Sequence, residues 1–443
     1  ELGHDAPKFY PLLKDRPGVE SMVGFHQGSD RFLVQTREQE DGSLTSGRLA
    51  CVDLKDPNRI DAGAAGLKTL VPTQPGRELK STTLAGDKLA LLYQTNLGNT
   101  LAIHDEDGQF LFDFWPGEHG LQPGMLSAVQ YDWHAKKLRF NYENTLQAPR
   151  EYVLDLESRQ LEKPDPKEGK LDRSRFDVQR VEYVSKDGTP VPMILVSPKG
   201  LERNGDNPTL LYGYGGFEVS VNDLSYLRGE LIPFLEAGGT IALPALRGGS
   251  ELGDGWHQQG RLDQKQNVFD DFLAARQWLI DEGYTRSERL GAMGYSNGGM
   301  LVGAAITQEP EGFAAAVPGT GVHDALGFEG FSSGAAWLPE YGRGENPLHF
   351  EFLSDYSPYH NVPEARLPAT LVYTGHHDTR VDPSHSWRFA AELEHKNTGD
   401  APIFMRTNPD TGHFSNHDPE RAAEEAAYRI GFLMHHLGMK APS

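Results

Sequence analysis

A serine stands between two glycines in the run Gly294-Tyr295-Ser296-Asn297-Gly298. A short apolar strand pattern, Leu290-Gly291-Ala292-Met293, precedes it, and an apolar helix pattern, Met300-Leu301-Val302-Gly303-Ala304-Ala305-Ile306, follows. G-x-S-x-G between a strand and a helix is the pattern of a nucleophile elbow, in which the serine sits on a tight, strained turn at the edge of an α/β sheet. Side chains at Gly294 and Gly298 would collide with the adjoining strand and helix. The pentapeptide also arises by chance in long chains, as a plain glycine-rich turn, so the rest of the sequence must supply the partners such a serine needs.

A serine hydroxyl is a weak nucleophile and requires a base and a carboxylate, in this fold in the chain order Ser, Asp or Glu, His. Asp378 closes the run Leu371-Val372-Tyr373-Thr374-Gly375-His376-His377-Asp378, just past an apolar strand pattern. Catalytic groups of open α/β sheets collect there, beyond the carboxyl ends of strands. His413 lies in Pro409-Asp410-Thr411-Gly412-His413-Phe414, after the strand pattern Ile403-Phe404-Met405 and before the last helix pattern. In such a triad His413 takes the proton of Ser296, while Asp378 holds the imidazole tautomer and stabilises its charged form. The developing oxyanion needs two donors. One is the N–H of Asn297. The second belongs to the loop after an early strand, Tyr212-Gly213-Tyr214-Gly215-Gly216-Phe217, whose glycines admit a ligand and whose tyrosines offer a hydroxyl. The same loop also fits a glycine-rich turn flanked by packing aromatics.

From Pro208 onward strand and helix patterns alternate, with helices expected at Val268 to Glu282, from Asn297, at Ser384 to His395 and at Glu420 to Leu437. That alternation predicts a mostly parallel, doubly wound sheet covered on both faces, an α/β-hydrolase domain over 171–443. Residues 1–170 differ. Short apolar runs (31–35, 48–54, 88–93, 100–104, 110–114, 137–142 and 151–155) alternate with turn clusters such as Gly86-Asp87 and Asp107-Gly108. This is an all-β pattern, and the shared plan of 88–113 and 137–155 points to propeller blades of roughly 40 residues, about four in all. The charged, Pro-containing stretch 161–175 reads as the linker.

At 443 residues the chain is too long for one ordinary core. A net charge of -21 excludes nucleic acid and anionic membranes as partners, since both need a basic patch. No apolar run approaches the length of a membrane span. The single cysteine, Cys51, sits in the apolar run Leu49-Ala50-Cys51-Val52 and is expected in a core, and no disulfide is possible. His376, His377, His413 and His417, with Asp378 and Asp418, follow no common zinc spacing, so neither metal nor other cofactor is expected. The chain begins Glu1-Leu2-Gly3-His4, without Met. An upstream segment is therefore expected to be missing, and with it whatever would decide between a cytoplasmic and a periplasmic location.

Several separated motifs, in order, resemble the prolyl oligopeptidase family of serine peptidases. They are Tyr212 to Phe217; Arg247-Gly248-Gly249-Ser250-Glu251-Leu252-Gly253 with Trp256-His257; Gly294 to Gly299; Ala336-Trp337 with Tyr341-Gly342; His377-Asp378-Thr379-Arg380-Val381; and Gly412-His413. The resemblance implies a triad of Ser296, Asp378 and His413. It implies that the Tyr214 hydroxyl joins the Asn297 N–H in the oxyanion hole, and that Trp337 stacks on a substrate proline ring. Phe217, Val322, Tyr341 and Val381 match the pocket walls, and Arg380 matches the arginine that bonds a substrate carbonyl. The physics agrees, because a proline ring is compact and apolar and its nitrogen carries no N–H, so an uncharged aromatic slot suits it. The family's propeller has seven blades, more than this chain has room for, so a fragment of a longer enzyme is expected. The activity implied is cleavage of short peptides after proline. Competing expectations are a related oligopeptidase preferring basic or acyl-blocked residues, an esterase or lipase on the same fold, and a binding module without catalysis.

Overall fold

The computed structural model describes residues 19–25, 31–38, 44–53, 55, 67–95, 98–164, 172–221, 227, 229–413 and 418–440. His417 and most of the expected linker's second half lie outside them. The chain divides into two compact units, residues 1–168 with 223–226, and residues 169–222 with 227–443.

The first unit contains three four-stranded antiparallel sheets among the described residues, each a simple meander. They comprise β1 (Val19–Phe25), β2 (Arg31–Glu38), β3 (Leu44–Asp53) and β4 (Lys68–Val71); β5 (Glu78–Ala85), β6 (Lys88–Thr95), β7 (Gly98–Asp105) and β8 (Phe110–Phe114); and β9 (Met125–Asp132), β10 (Lys137–Asn144), β11 (Gln147–Leu154) and β12 (Leu161–Glu162). The expected strands fall in β2, β3, β6, β7, β8, β10 and β11. The middle sheet explains why Lys88 to Tyr93 is continuously apolar rather than alternating. Leu89, Leu91 and Tyr93 point one way, into a core with Leu49 and Leu79. Ala90 and Leu92 point the other way, toward Leu138 and Phe140. A strand whose sheet is covered on both faces has no solvent side to leave polar. Cys51 is buried in the first of these cores, as expected. The expectation of about four blades exceeds the three sheets described. These begin at Val19, Glu78 and Met125, so a repeat takes roughly 50 residues rather than 40 once its connecting turns are included.

The second unit is built on an eight-stranded sheet: β13 (Phe176–Val184), β14 (Pro190–Pro198), β15 (Thr209–Tyr212), β16 (Thr240–Pro244), β17 (Leu290–Tyr295), β18 (Ala315–Gly319), β19 (Ala369–Gly375) and β20 (Ile403–Asn408). Its order is β13-β14-β16-β15-β17-β18-β19-β20. The first two pairings are antiparallel and the rest parallel. Between and after the strands come α1 (Ile232–Glu236), α2 (Asp254–Gln258), α3 (Gln266–Asp281), α4 (Asn297–Gln308), α5 (Leu338–Tyr341), α6 (Pro347–Tyr356), α7 (Ser384–Lys396) and α8 (Pro419–His436). Leu211, Ala242 and Ala292 face a core shared with Phe269 and Phe272 of α3, Leu301 of α4 and Phe389 of α7. Gly291 faces the other way, where a Cβ would meet Leu433 of α8 at 3.1 Å. Helices therefore cover both faces of a mostly parallel sheet, which is the α/β-hydrolase fold. No helix among the described residues is long and apolar enough to cross a membrane.

One buried ion pair locks the antiparallel edge onto this core. Arg247 and Asp271 are both almost fully buried. The guanidinium donates to Asp271 at 2.6 Å (Nη2 to Oδ1) and 3.0 Å (Nε to Oδ2). Asp271 Oδ1 also accepts from Ser185 Oγ at 2.6 Å, and its backbone carbonyl accepts from the Tyr183 hydroxyl at 2.8 Å. Arg247→Leu strands the Asp271 carboxylate in the core, and an expected loss of about 3–5 kcal/mol would be read as a lower denaturant midpoint of this unit. Asp271→Asn in the same background should recover part of the loss, because the lone buried charge is then gone.

Candidate active site

β17 delivers Ser296 directly into α4, and the turn between them is as tight as the glycine pattern requires. Ser296 has φ 59° and ψ -120°, a region that costs a side-chain-bearing residue on the order of 1–3 kcal/mol. Surrounding backbone leaves no alternative. A Cβ would stand 2.7 Å from the Gly213 carbonyl oxygen if placed on Gly294, and 2.5 Å from it if placed on Gly298. The Ser296 N–H is shared between the Gly319 carbonyl at 3.0 Å and Thr320 Oγ1 at 3.2 Å. Its carbonyl accepts from Gly299 and Met300, which starts the helix. Thr320 was not anticipated from sequence; nothing marks a threonine two residues past a strand as the support of an elbow.

Asp378 follows β19 and His413 follows β20, and these strands are parallel neighbours paired through Gly375 and Asn408. The loops beyond them are tied together. His376 N–H donates to the Asn408 carbonyl at 2.7 Å, and His377 N–H to the Thr411 carbonyl at 2.9 Å. Adjacent strand ends thus bring together two residues 35 positions apart, with His413 Nδ1 and Asp378 Oδ2 at 2.8 Å. Asp378 is buried, and its other oxygen accepts from the N–H groups of Arg380 at 2.9 Å and Val381 at 2.8 Å. With one oxygen committed to two backbone donors, the other is aimed at the imidazole, which donates from Nδ1 and leaves Nε2 as the acceptor.

Ser296 and His413 line one cavity of about 1360 Å³, together with Tyr214, Trp337 and Arg380. The Tyr214 hydroxyl is hydrogen-bonded with Ser296. Burial raises the Tyr214 phenol above its ordinary value, against the pull of Ser296 and Arg380, so it stays protonated and able to donate at neutral pH. α4 begins at Asn297, and the first N–H groups of a helix have no partner within it. The Asn297 side chain has a task that the sequence reading did not foresee: its amide donates to the Tyr214 carbonyl, and its oxygen accepts from the Tyr341 hydroxyl at 2.8 Å. Beside the serine stands an aromatic slot. Phe217 and Tyr341 meet edge to face at 5.5 Å between ring centres, and Trp337 and Tyr341 are nearly perpendicular at 6.4 Å. Phe328, another residue not anticipated, stacks against Trp337 at 6.3 Å. Val322 also lines the cavity. Val381 sits elsewhere than expected for a pocket wall: it is buried in the core, and its backbone N–H holds Asp378.

Residues 225–440 match the model of the prolyl oligopeptidase family, and residues 2–165 match that of the prolyl oligopeptidase N-terminal β-propeller domain. The chain belongs to the prolyl oligopeptidase family. It is 38% identical over 307 residues to a prolyl endopeptidase of Elizabethkingia miricola, covering 69% of this chain and 43% of that protein. It is 31% identical over 441 residues to a prolyl endopeptidase of Dictyostelium discoideum, covering 95% and 57%. Among solved structures, prolyl oligopeptidase B from Galerina marginata bound to a 35mer hydrolysis and macrocyclization substrate superposes with a TM-score of 0.83 at 27% identity, covering 95% of this chain and 58% of the other. A post-proline cleaving enzyme from Rickettsia typhi gives 0.82 at 25%, covering 95% and 60%. The chain thus spans about half the length of these family members.

Proposed function

We propose that this chain carries out serine oligopeptidase chemistry on short proline-containing peptides, hydrolysing the bond on the carboxyl side of proline. The observation that carries the reading is the uncharged aromatic slot of Trp337, Tyr341 and Phe217 in the same cavity as Ser296 and His413. A proline ring buries both faces there without an N–H left to satisfy. The relatives' names, prolyl endopeptidase and post-proline cleaving enzyme, point the same way.

In the proposed reaction His413 Nε2 takes the Ser296 proton as Oγ attacks the carbonyl carbon of proline. The oxyanion is received by the Asn297 N–H and the Tyr214 hydroxyl. Arg380, at the cavity edge, bonds a further substrate carbonyl. The imidazolium gives its proton to the leaving amine, whose C–N bond breaks, and an acyl-enzyme remains. Water then repeats the sequence and frees the acid. A panel of peptide anilides varying only the residue before the scissile bond tests the specificity, and preference for a basic residue over proline would overturn it. Ester turnover without peptide turnover would instead favour an esterase. Trp337→Ala is expected to lower kcat/KM for the proline member by roughly 10- to 100-fold and for the alanine member by less than about threefold, because only the ring loses its stacking surface.

A further inference from the structure

Behind the oxyanion loop lies a buried charge pair that the chemistry above does not use. Lys265, at the N-cap of α3, is fully buried. Its Nζ donates to the Gly215 carbonyl at 3.0 Å and to Glu340 Oε1 at 2.9 Å. Glu340 Oε2 accepts from His257 Nε2 at 2.8 Å. Burial alone would push the Glu340 carboxyl up, but Lys265 and His257 outweigh it and hold it down at about 2. The pair is therefore ionised at working pH. Desolvating two charges is costly enough that an apolar pair of the same volume often serves stability as well or better.

The partners form a closed circuit. Glu340 and Tyr341 are successive residues of α5, whose N-cap is Trp337. The Tyr341 hydroxyl holds Asn297 Oδ1, and the Asn297 amide holds the Tyr214 carbonyl. The next carbonyl along, that of Gly215, is held by Lys265, which returns to Glu340. Gly216 keeps the approach close: a Cβ there would stand 2.6 Å from Asn297 Nδ2 and 2.8 Å from Lys265 Nζ. Consecutive peptide units of the oxyanion loop are thus clamped from two sides, one clamp starting at the elbow and the other at the pocket helix.

We propose that Lys265 and Glu340 are positioning residues for the oxyanion hole, fixing the Tyr214–Gly215 backbone so that the Tyr214 hydroxyl stands beside Ser296, and coupling that placement to the helix that carries the aromatic slot. The inference rests on the acyl-transfer reading of this site. Lys265→Met/Glu340→Gln removes both charges together and strands neither. In the full 443-residue chain, acting on a proline p-nitroanilide, this variant is expected to lower kcat about 10- to 100-fold with KM within about threefold, the order of effect seen when one oxyanion donor is disturbed. In a Tyr214→Phe background the same change should lower kcat by less than about threefold, because the group it positions is gone. A structural role alone would weaken both backgrounds equally. Should the variant fail to fold, Glu340→Asp keeps the charge and shortens the reach to Lys265. It is expected to lower kcat about 3- to 10-fold, with the loss again confined to the Tyr214 background. An unchanged kcat, or an undiminished loss in the Tyr214→Phe background, overturns the inference while leaving the hydrolase reading intact. No turnover by the unmodified chain overturns both.

Discussion

Ser296→Ala is expected to reduce turnover of a proline p-nitroanilide by about ten-thousand-fold or more and to leave the thermal transition of the hydrolase unit in place. The two halves of that expectation have separate causes. Turnover falls because no other group near the Nε2 face of His413 can form the acyl-enzyme. Stability holds because the hydroxyl carries no structural load. Ser296 makes no side-chain cap on α4, and its backbone bonds to Gly319, Gly299 and Met300 are indifferent to the side chain. Alanine at φ 59° bears much the same strain as serine, so the change in stability should stay under about 1 kcal/mol. The Tyr214 hydroxyl loses its partner but faces the cavity, where water replaces it. The comparison needs both measurements, since a fall in activity with loss of the transition would report folding instead. Turnover within tenfold of the unmodified chain would remove Ser296 from the nucleophile's role.

The elbow was legible in sequence because strain and crowding restrict it to few residues: only glycine fits where Gly294 and Gly298 pass the Gly213 carbonyl. Asp378 and His413 were legible because each follows a recognisable strand, and parallel order places strand ends side by side. The aromatic slot was matched by resemblance. Its composition could not say that Phe328 backs Trp337, or that Val381 supports the triad carboxylate from the core. Strands such as β5, Glu-Leu-Lys-Ser-Thr-Thr-Leu-Ala, escaped because polar Thr and Ser sit half-buried along them and blur the period-two signal. Least legible were the buried charges. Lys265 lies in the polar run Asp263-Gln264-Lys265-Gln266-Asn267, which looks like a solvated helix start, and its partner Glu340 is 75 residues away. A charged side chain declares itself buried only through partners that the fold supplies.

Asp378→Asn should fall almost as far, by about ten-thousand-fold in kcat, with KM within a few-fold and the fold intact. Size is preserved, so the loss must come from hydrogen-bond polarity, and the surrounding backbone decides which way the amide turns. Oδ1 of Asp378 accepts two N–H groups, from Arg380 and Val381. An asparagine that turned its NH2 toward them would bury three donors face to face, so the amide oxygen takes that position. The NH2 then faces His413 Nδ1, where the carboxylate oxygen stood at 2.8 Å. Nδ1 is forced to accept, the ring proton moves to Nε2, and the face turned toward Ser296 can no longer take a proton. Were the two backbone donors absent, the asparagine could flip and retain the productive tautomer. The size of the loss therefore measures how firmly the Asp378-Thr379-Arg380-Val381 turn holds its acid. A loss of less than tenfold in kcat would mean that His413 is oriented by some other group.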